Sequence, residues 1–258
     1  MKGAVILPLV VGLGIGIVVG LLGAGGGILS VPALMYLLHQ SAHVAALGSL
    51  AGVLLTSAGS LIIHLRAGNV EVKKGLVFAG LSVVGSFAGA RLSLLIDELL
   101  IIRIFAIFLL LVAVLFAFQT FRGEEETLEA HGEPMTTGEK VVLVVVATIT
   151  GFATGLFGVG GGFMVVPALV LVMNTRMRKA VGTSLLIMVI ASLVGILGRF
   201  PIEPGVDFGM LGLFVGGSIV GGLIGSVCSR KLPPRALSGI FSVLVALVGI
   251  YTVSQSWF

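Results

Sequence analysis

No carboxylate lies deep in any apolar run of this chain. Its eleven acids, Glu71, Asp97, Glu98, Glu124, Glu125, Glu126, Glu129, Glu133, Glu139, Glu203 and Asp207, fall in polar connections or at their edges. Carriers of metal ions or organic cations usually keep an acid at depth to offset the charge, and proton pumps usually need an acidic relay. Its absence points to an anionic or neutral substrate. Cysteine is nearly missing as well: Cys228 stands alone, which excludes an intramolecular disulfide and a thiolate metal site. Charged residues of both signs make up 10% of the 258. His131 by itself is no metal site, and neither a metal nor a cofactor is expected.

What the chain has instead is apolar surface. A hydrophobic share of 57% and a mean hydropathy of +1.22 lie far outside the soluble range and place it in a bilayer. Apolar runs cover 4–22, 26–39, 43–65, 74–92, 101–121, 141–157, 160–174, 180–199, 207–227 and 236–254. Most approach the roughly twenty residues that cross about 30 Å of hydrocarbon. The runs at 26–39 and 160–174 are too short for an ordinary crossing. Lys2, an apolar stretch and Leu22-Gly23-Ala24 fit a cleaved signal loosely, but the same pattern recurs in mid-chain at 155. The net charge of +4 reads as cationic loops that orient the chain in lipid. The lipid bilayer is then a partner and nucleic acid is not; a homo-oligomer stays open.

Gly20-Leu-Leu-Gly-Ala-Gly-Gly-Gly-Ile-Leu-Ser-Val-Pro-Ala-Leu34 returns as Gly155-Leu-Phe-Gly-Val-Gly-Gly-Gly-Phe-Met-Val-Val-Pro-Ala-Leu169, an offset of 135, with ten of the eighteen positions from Gly20 to Leu37 identical. The chain is an internal duplication. Its organisation follows: an N-terminal transmembrane repeat over 1–121, an acidic cytoplasmic linker over 122–140 and a C-terminal repeat over 141–258. Glycine runs allow positive φ and leave amides uncovered, so each triplet reads as a helix break, with Pro32 and Pro167 in the first turn of the next helix and Ser30 as a cap in the first copy. Gly12, Gly14, Gly16 and Gly20 read as helix contacts, as do the stripes at Gly80, Gly85 and Gly89 and at Gly216, Gly217, Gly221, Gly222 and Gly225.

If each triplet forms a hairpin that returns the chain to its side of origin, one face collects Arg66, Lys73, Lys74, Arg122, Lys140, Arg176, Arg178, Lys179, Arg230, Lys231 and Arg235, the other only Lys2, Arg91, Arg103 and Arg199. The richer face is expected in the cytoplasm, with both termini outside. Five passages per repeat turn the second copy upside down. The expected fold is therefore an all-α membrane protein of two inverted-topology repeats, about five helical segments each, the first pair of each being a broken or re-entrant hairpin at a glycine triplet. Many secondary transporters share that plan and bind substrate between the halves.

Uncovered amides at a helix start favour an anion. The expected substrate-binding residues are Gly25, Gly26, Gly27, Ser30 and Ser49 in the first copy and Gly160, Gly161, Gly162, Thr183 and Ser184 in the second. Ser57 and Ser192 recur at matching places; such hydroxyls either bond back to their own helix or face the path of the substrate. His64, Arg91 and Arg199 end apolar segments and either snorkel to the interface or gate and attract the anion. Ser49 or Ser184 with His64 would also suit a hydrolase dyad, but no third orienting group is evident, and no enzyme is expected. Turnover by detergent-solubilised protein would favour that alternative; accumulation in sealed vesicles would favour transport.

The two glycine motifs, Val31-Pro32, Val166-Pro167 and Ala180-Val-Gly-Thr-Ser184 resemble the TauE/SafE family of sulfite exporters over nearly the whole length. The first copy departs from the pattern with Gly48-Ser49-Leu50. The resemblance implies a plasma-membrane transporter that moves sulfite, sulfonates or related small sulfur-containing anions, often outward. A carrier for another small anion such as a carboxylate, or a non-transporting membrane scaffold, is the alternative.

Overall fold

A chain surrounded by lipid must satisfy its backbone internally, and in the computed structural model every regular element among the described residues is helical. The structure describes residues 2–22, 27–122, 137–173, 175–200, 206–229 and 234–257. The first half comprises α1 (Lys2–Leu22), α2 (Gly27–Pro32) continuing as a π-helical turn over Ala33–Leu37, α3 (Ala42–Arg66), α4 (Val72–Ser93) and α5 (Glu98–Arg122). The second comprises α6 (Thr137–Phe157), α7 (Gly162–Leu171), α8 (Met177–Gly198), α9 (Phe208–Ser229) and α10 (Pro234–Trp257). Each apolar run of the sequence corresponds to one of these helices within a few residues. Among the described residues five stretches, Ala42–Arg66, Val72–Ser93, Lys140–Phe157, Lys179–Gly198 and Phe208–Gly225, are long and apolar enough to cross a membrane.

The short helices differ from expectation in detail. They begin at Gly27 and Gly162, so Pro32 and Pro167 stand in the second turn rather than the first, and Ser30 lies inside α2 instead of capping it. Pro32 is the last of six α-helical residues, and the chain widens into the five-residue π turn directly after it. A proline there removes one amide donor and crowds the carbonyl four residues back, yet Pro167 at the matching place brings no such widening. α7 keeps α-helical geometry over ten residues, about 15 Å at 1.5 Å per residue, half of a hydrocarbon core. Both copies close with the same bond: Gln40 N–H donates to Leu34 O at 3.1 Å, and Thr175 N–H to Leu169 O at 3.0 Å. α3 opens on Ser41, whose Oγ accepts from Val44 N at 3.3 Å, and the Glu98 carboxylate accepts from Ala42 N.

The small-residue stripes fix the packing. The most extensive pairings are α1 with α9 and α4 with α6, the first helix of each half on the fourth of the other. A Cβ on Gly16 would lie 2.2 Å from Ser218 O, and one on Gly151 2.1 Å from Ser82 O; the two contacts are counterparts under the duplication. Such approach needs glycine, and in lipid it is how backbones gain dispersion contact. Gly12 opposes Phe214 and Gly16 opposes Ser218, so α1 runs parallel to α9; Gly151 on Ser82 and Gly155 on Ser86 make α6 parallel to α4. α3 runs parallel to α9 through Gly48 on Leu211 and Thr56 on Gly222, and α4 parallel to α8 through Gly75 on Leu186 and Ala90 on Gly198. Between α3 and α8, Leu50 meets Gly195 while His64 meets Gly182, which is antiparallel. Helices α1, α3 and α9 thus run one way and α4, α6 and α8 the other. Because α1 and α3 share a direction, as do α6 and α8, the broken segment between each pair brings the chain back. α5 and α10 pair with each other, Gly249 lying against Leu109 and Leu110.

Candidate functional site

The last glycine of the first triplet meets the second break. A Cβ on Gly27 would fall 2.0 Å from Val159 O, and both Gly27 and Gly160 lie against the side chain of Val53 on α3. The backbone at Gly27 therefore touches that of the second break at Val159, with one valine wedged beside them. Gly158, Gly160 and Gly161 take φ of +74°, +73° and +65°, the left-handed region where a Cβ is costly. Gly161 precedes α7 with no side-chain cap; its carbonyl accepts from Met164 N at 3.0 Å and Val165 N at 3.2 Å, so the first amides of α7 that lack a partner within the helix are those of Gly162 and Phe163. Gly25 and Gly26 lie outside the described residues.

Of the expected hydroxyls, Ser49 reaches the break: its Oγ donates to Gly27 O at 3.2 Å. Its counterpart Ser184 instead donates to Val181 O of its own helix at 2.7 Å. In both, the hydroxyl proton goes to a carbonyl rather than to a base. Thr183 Oγ1 accepts from Glu71 N at 2.9 Å and is committed to the connection between α3 and α4. Ser30 is buried within α2. Ser57 and Ser192 are both buried, and neither hydroxyl has a hydrogen-bond partner among the described residues; the same holds for Thr56. A buried polar group left so costs about 1–3 kcal/mol.

Sequence reasoning missed Thr150 and Thr154. A Cβ on Gly161 would lie 2.2 Å from Thr154 Oγ1 and 3.3 Å from Thr150 Cγ2. Thr154 Oγ1 donates to Thr150 O at 2.8 Å, while Thr150 Oγ1 is buried without a partner among the described residues. The signal was present: two threonines four apart share one face of the helix that leads into the triplet. The first copy has Ile15 and Val19 at the matching positions, which hides the pair from a search for duplicated features.

The terminal cations separate into two kinds. Arg91 is exposed, donates Nη1 to Phe200 O at 3.0 Å and stacks 5.4 Å over the Phe87 ring, as an interfacial arginine does. Arg199 does not snorkel. It is 4% exposed, and Nη2 donates to Gly155 O at 2.7 Å and Leu156 O at 3.1 Å, the last carbonyls of α6 before the break. The pull of α6's partially negative end overrides the reach toward water. Arg199 also lines a cleft of about 10 Å³ with His43, Ser93, Phe105 and Phe157, room for about one water molecule. His64 is partly buried against Gly182.

At the opposite end of the bundle, where α4 and α8 begin, Lys74 Nζ lies 2.8 Å from Glu71 Oε2 and donates to Met173 O at 2.9 Å, and Lys179 Nζ lies 3.5 Å from Glu71 Oε1. These contacts tie the first half to the second. Burial alone would raise the Glu71 carboxyl, but its hydrogen bond and charge contact with Lys74, helped by Lys179, hold it below the usual range. A depressed pKa contributes stability that is present above the ordinary carboxylate pKa and lost as pH falls through the lower folded value. Glu71→Gln is therefore expected to cost about 1 kcal/mol at pH 7, the upper end for partly exposed pairs. The gap to wild type in thermal unfolding should close in acid; a gap equal at pH 7 and pH 3.5 would contradict the assignment.

Among the described residues the arrangement offers uncapped amides, unpartnered hydroxyls and one buried cation, and no cluster able to hold a metal. Comparison with known proteins agrees in kind. The family model for the sulfite exporter TauE/SafE matches residues 8–252. A probable membrane transporter protein of Xylella fastidiosa is 30% identical over 246 residues, covering 94% of this chain and 92% of its own. The probable membrane transporter proteins YdhB and YunE of Bacillus subtilis are each 30% identical, over 92% and 98% of this chain and 95% and 98% of theirs. No solved structure matches. The chain is a multi-pass membrane protein that belongs to the sulfite exporter TauE/SafE family of membrane transporters.

Proposed function

We propose that the chain is a secondary transporter, working as an exporter of a small sulfur-containing anion such as sulfite or a sulfonate across the plasma membrane. The observation that carries the reading is the meeting of the two breaks, Gly27 against Val159 O, beside the unpartnered hydroxyl of Thr150. An anion held there accepts from the first amides of α7, from the hydroxyls and from the favourable helix end. The repeats 1–121 and 141–258 lie upside down to each other, joined by the cytoplasmic linker 122–140; the opposed directions of α1 and α6, of α3 and α8 and of α4 and α9 support this. Both termini are then outside, and the cation-rich ends, with Arg66, Lys74 and Lys179, face the cytoplasm. Alternating access follows as one half rocks on the other around the paired breaks, and the Glu71, Lys74 and Lys179 network closes the cytoplasmic side.

The test is accumulation in sealed proteoliposomes. Sulfite, thiosulfate, sulfoacetate, taurine, acetate and succinate are offered in turn, with binding to purified protein measured in parallel. Concentration of a sulfur oxyanion or sulfonate against its gradient is expected. Accumulation confined to carboxylates, or none for any anion, would refute the proposal.

A further inference from the structure

We infer that the cleft lined by Arg199 is itself an oxyanion site, the charged station that receives the substrate at the end of the bundle where α6 and α8 finish. The inference rests on the anion-transport reading and adds a receptor that the glycine breaks lack: a full positive charge. Arg199 is 4% exposed. Its Nη2 holds two carbonyls at the end of α6, while its Nε–H is buried with no partner among the described residues. No carboxylate among the described residues pairs with it. The end of a helix offsets only about half a unit charge, and a guanidinium removed from water without a counter-ion is costly. Glu98, the acid that reaches this corner, is committed to Ala42 N at the start of α3.

The walls fit a small anion. His43 Nε2 lies 2.8 Å from Ser93 O, and Phe105 and Phe157 close the apolar side. An oxyanion would take the Nε–H in a charge-assisted bond. Ala46 lines the cleft and also lies against Gly158, so the cleft abuts the second glycine break. At about 10 Å³ it is drawn closed, and an anion enters as the two halves separate. The matching residue in the other half is His64, so a permanent cation stands at one mouth only of this duplicated pair of positions.

The experiment uses the full-length protein in proteoliposomes and in detergent, with sodium sulfite, sodium sulfate, isethionate and acetate as probes and neutral dimethyl sulfone as control. Arg199→Gln is expected to raise the apparent KM or Kd for the bound anion at least about tenfold, the equivalent of about 1.4 kcal/mol. Arg199→Lys should recover part of it. Wild-type KM should rise with ionic strength and that of Arg199→Gln should not, since screening acts on the lost attraction; a purely structural capping role would leave that slope alone. Ile102→Glu places a tethered carboxylate in the cleft without touching Arg199 and should weaken anion binding by a similar factor. This variant decides the matter if Arg199→Gln does not fold. Wild-type affinity and salt slope in the folded variants would overturn this site alone and leave anion transport standing. A wild-type protein that binds none of the four anions would overturn both.

Discussion

Replacing Gly161 with leucine is expected to abolish accumulation of the transported anion, roughly a hundredfold loss in initial rate, the scale on which displacing a reacting or binding group by about 1 Å is felt. Gly161 holds φ +65°, and its new Cβ would meet Thr154 Oγ1 at 2.2 Å. The left-handed backbone costs a residue with a Cβ about 1–2 kcal/mol, and crowding adds about 1–3 kcal/mol. A net stability of about 5–15 kcal/mol absorbs both, so the variant should insert and remain folded while the first amides of α7 are pushed off position. Gly27→Leu attacks the same junction from the other copy, its Cβ at 2.0 Å from Val159 O, where a backbone carbonyl cannot swing away as a side chain can. Uptake by reconstituted protein is the measurement, with monodispersity in detergent as the folding control. Wild-type rates in both variants would remove the breaks from the mechanism.

The second large effect concerns assembly rather than transport. Gly85→Leu and Gly221→Leu should each lower stability by about 3 kcal/mol, the upper end for overpacking. Their Cβ atoms would both fall 2.2 Å from a carbonyl of the facing helix, Thr148 O and Leu13 O. Gly80→Leu and Gly216→Leu lie on the same two helices, with nothing within 4 Å of the added Cβ. They should change stability by no more than about 0.5 kcal/mol, or gain slightly from helix propensity. Heating followed by size-exclusion chromatography would separate the pairs. Equal losses at all four sites would mean that glycine matters here through helix propensity and not through the approach of α4 to α6 and of α1 to α9.

These contrasts mark where sequence reading stops. The stripe Gly80, Gly85, Gly89 reads as one contact surface, yet Gly85 and Gly89 touch α6 while Gly80 faces open space. Facing depends on the helix opposite, and that helix belongs to the other half of the chain. Ser49 and Ser184 are identical by alignment, but one bonds across to Gly27 and the other back to Val181, because the neighbours that compete for a hydroxyl differ. Thr150 and Thr154 carry no duplicated partner, though they lie against Gly161.

The amino-acid order alone determined the all-helical membrane class, the approximate bounds of the described helices and the duplication. Each of these follows from local rules: apolar length against bilayer thickness, obligatory internal hydrogen bonding in lipid and the conformational freedom of glycine. Tertiary structure decided which helix lies on which, the contact between Gly27 and Val159, and the burial of Arg199 at the end of α6. Those depend on residues from 43 positions apart, as Arg199 and Leu156 are, to more than a hundred, as Gly27 and Val159 are, meeting where a single Cβ or a single carbonyl settles the outcome, and no local pattern records that.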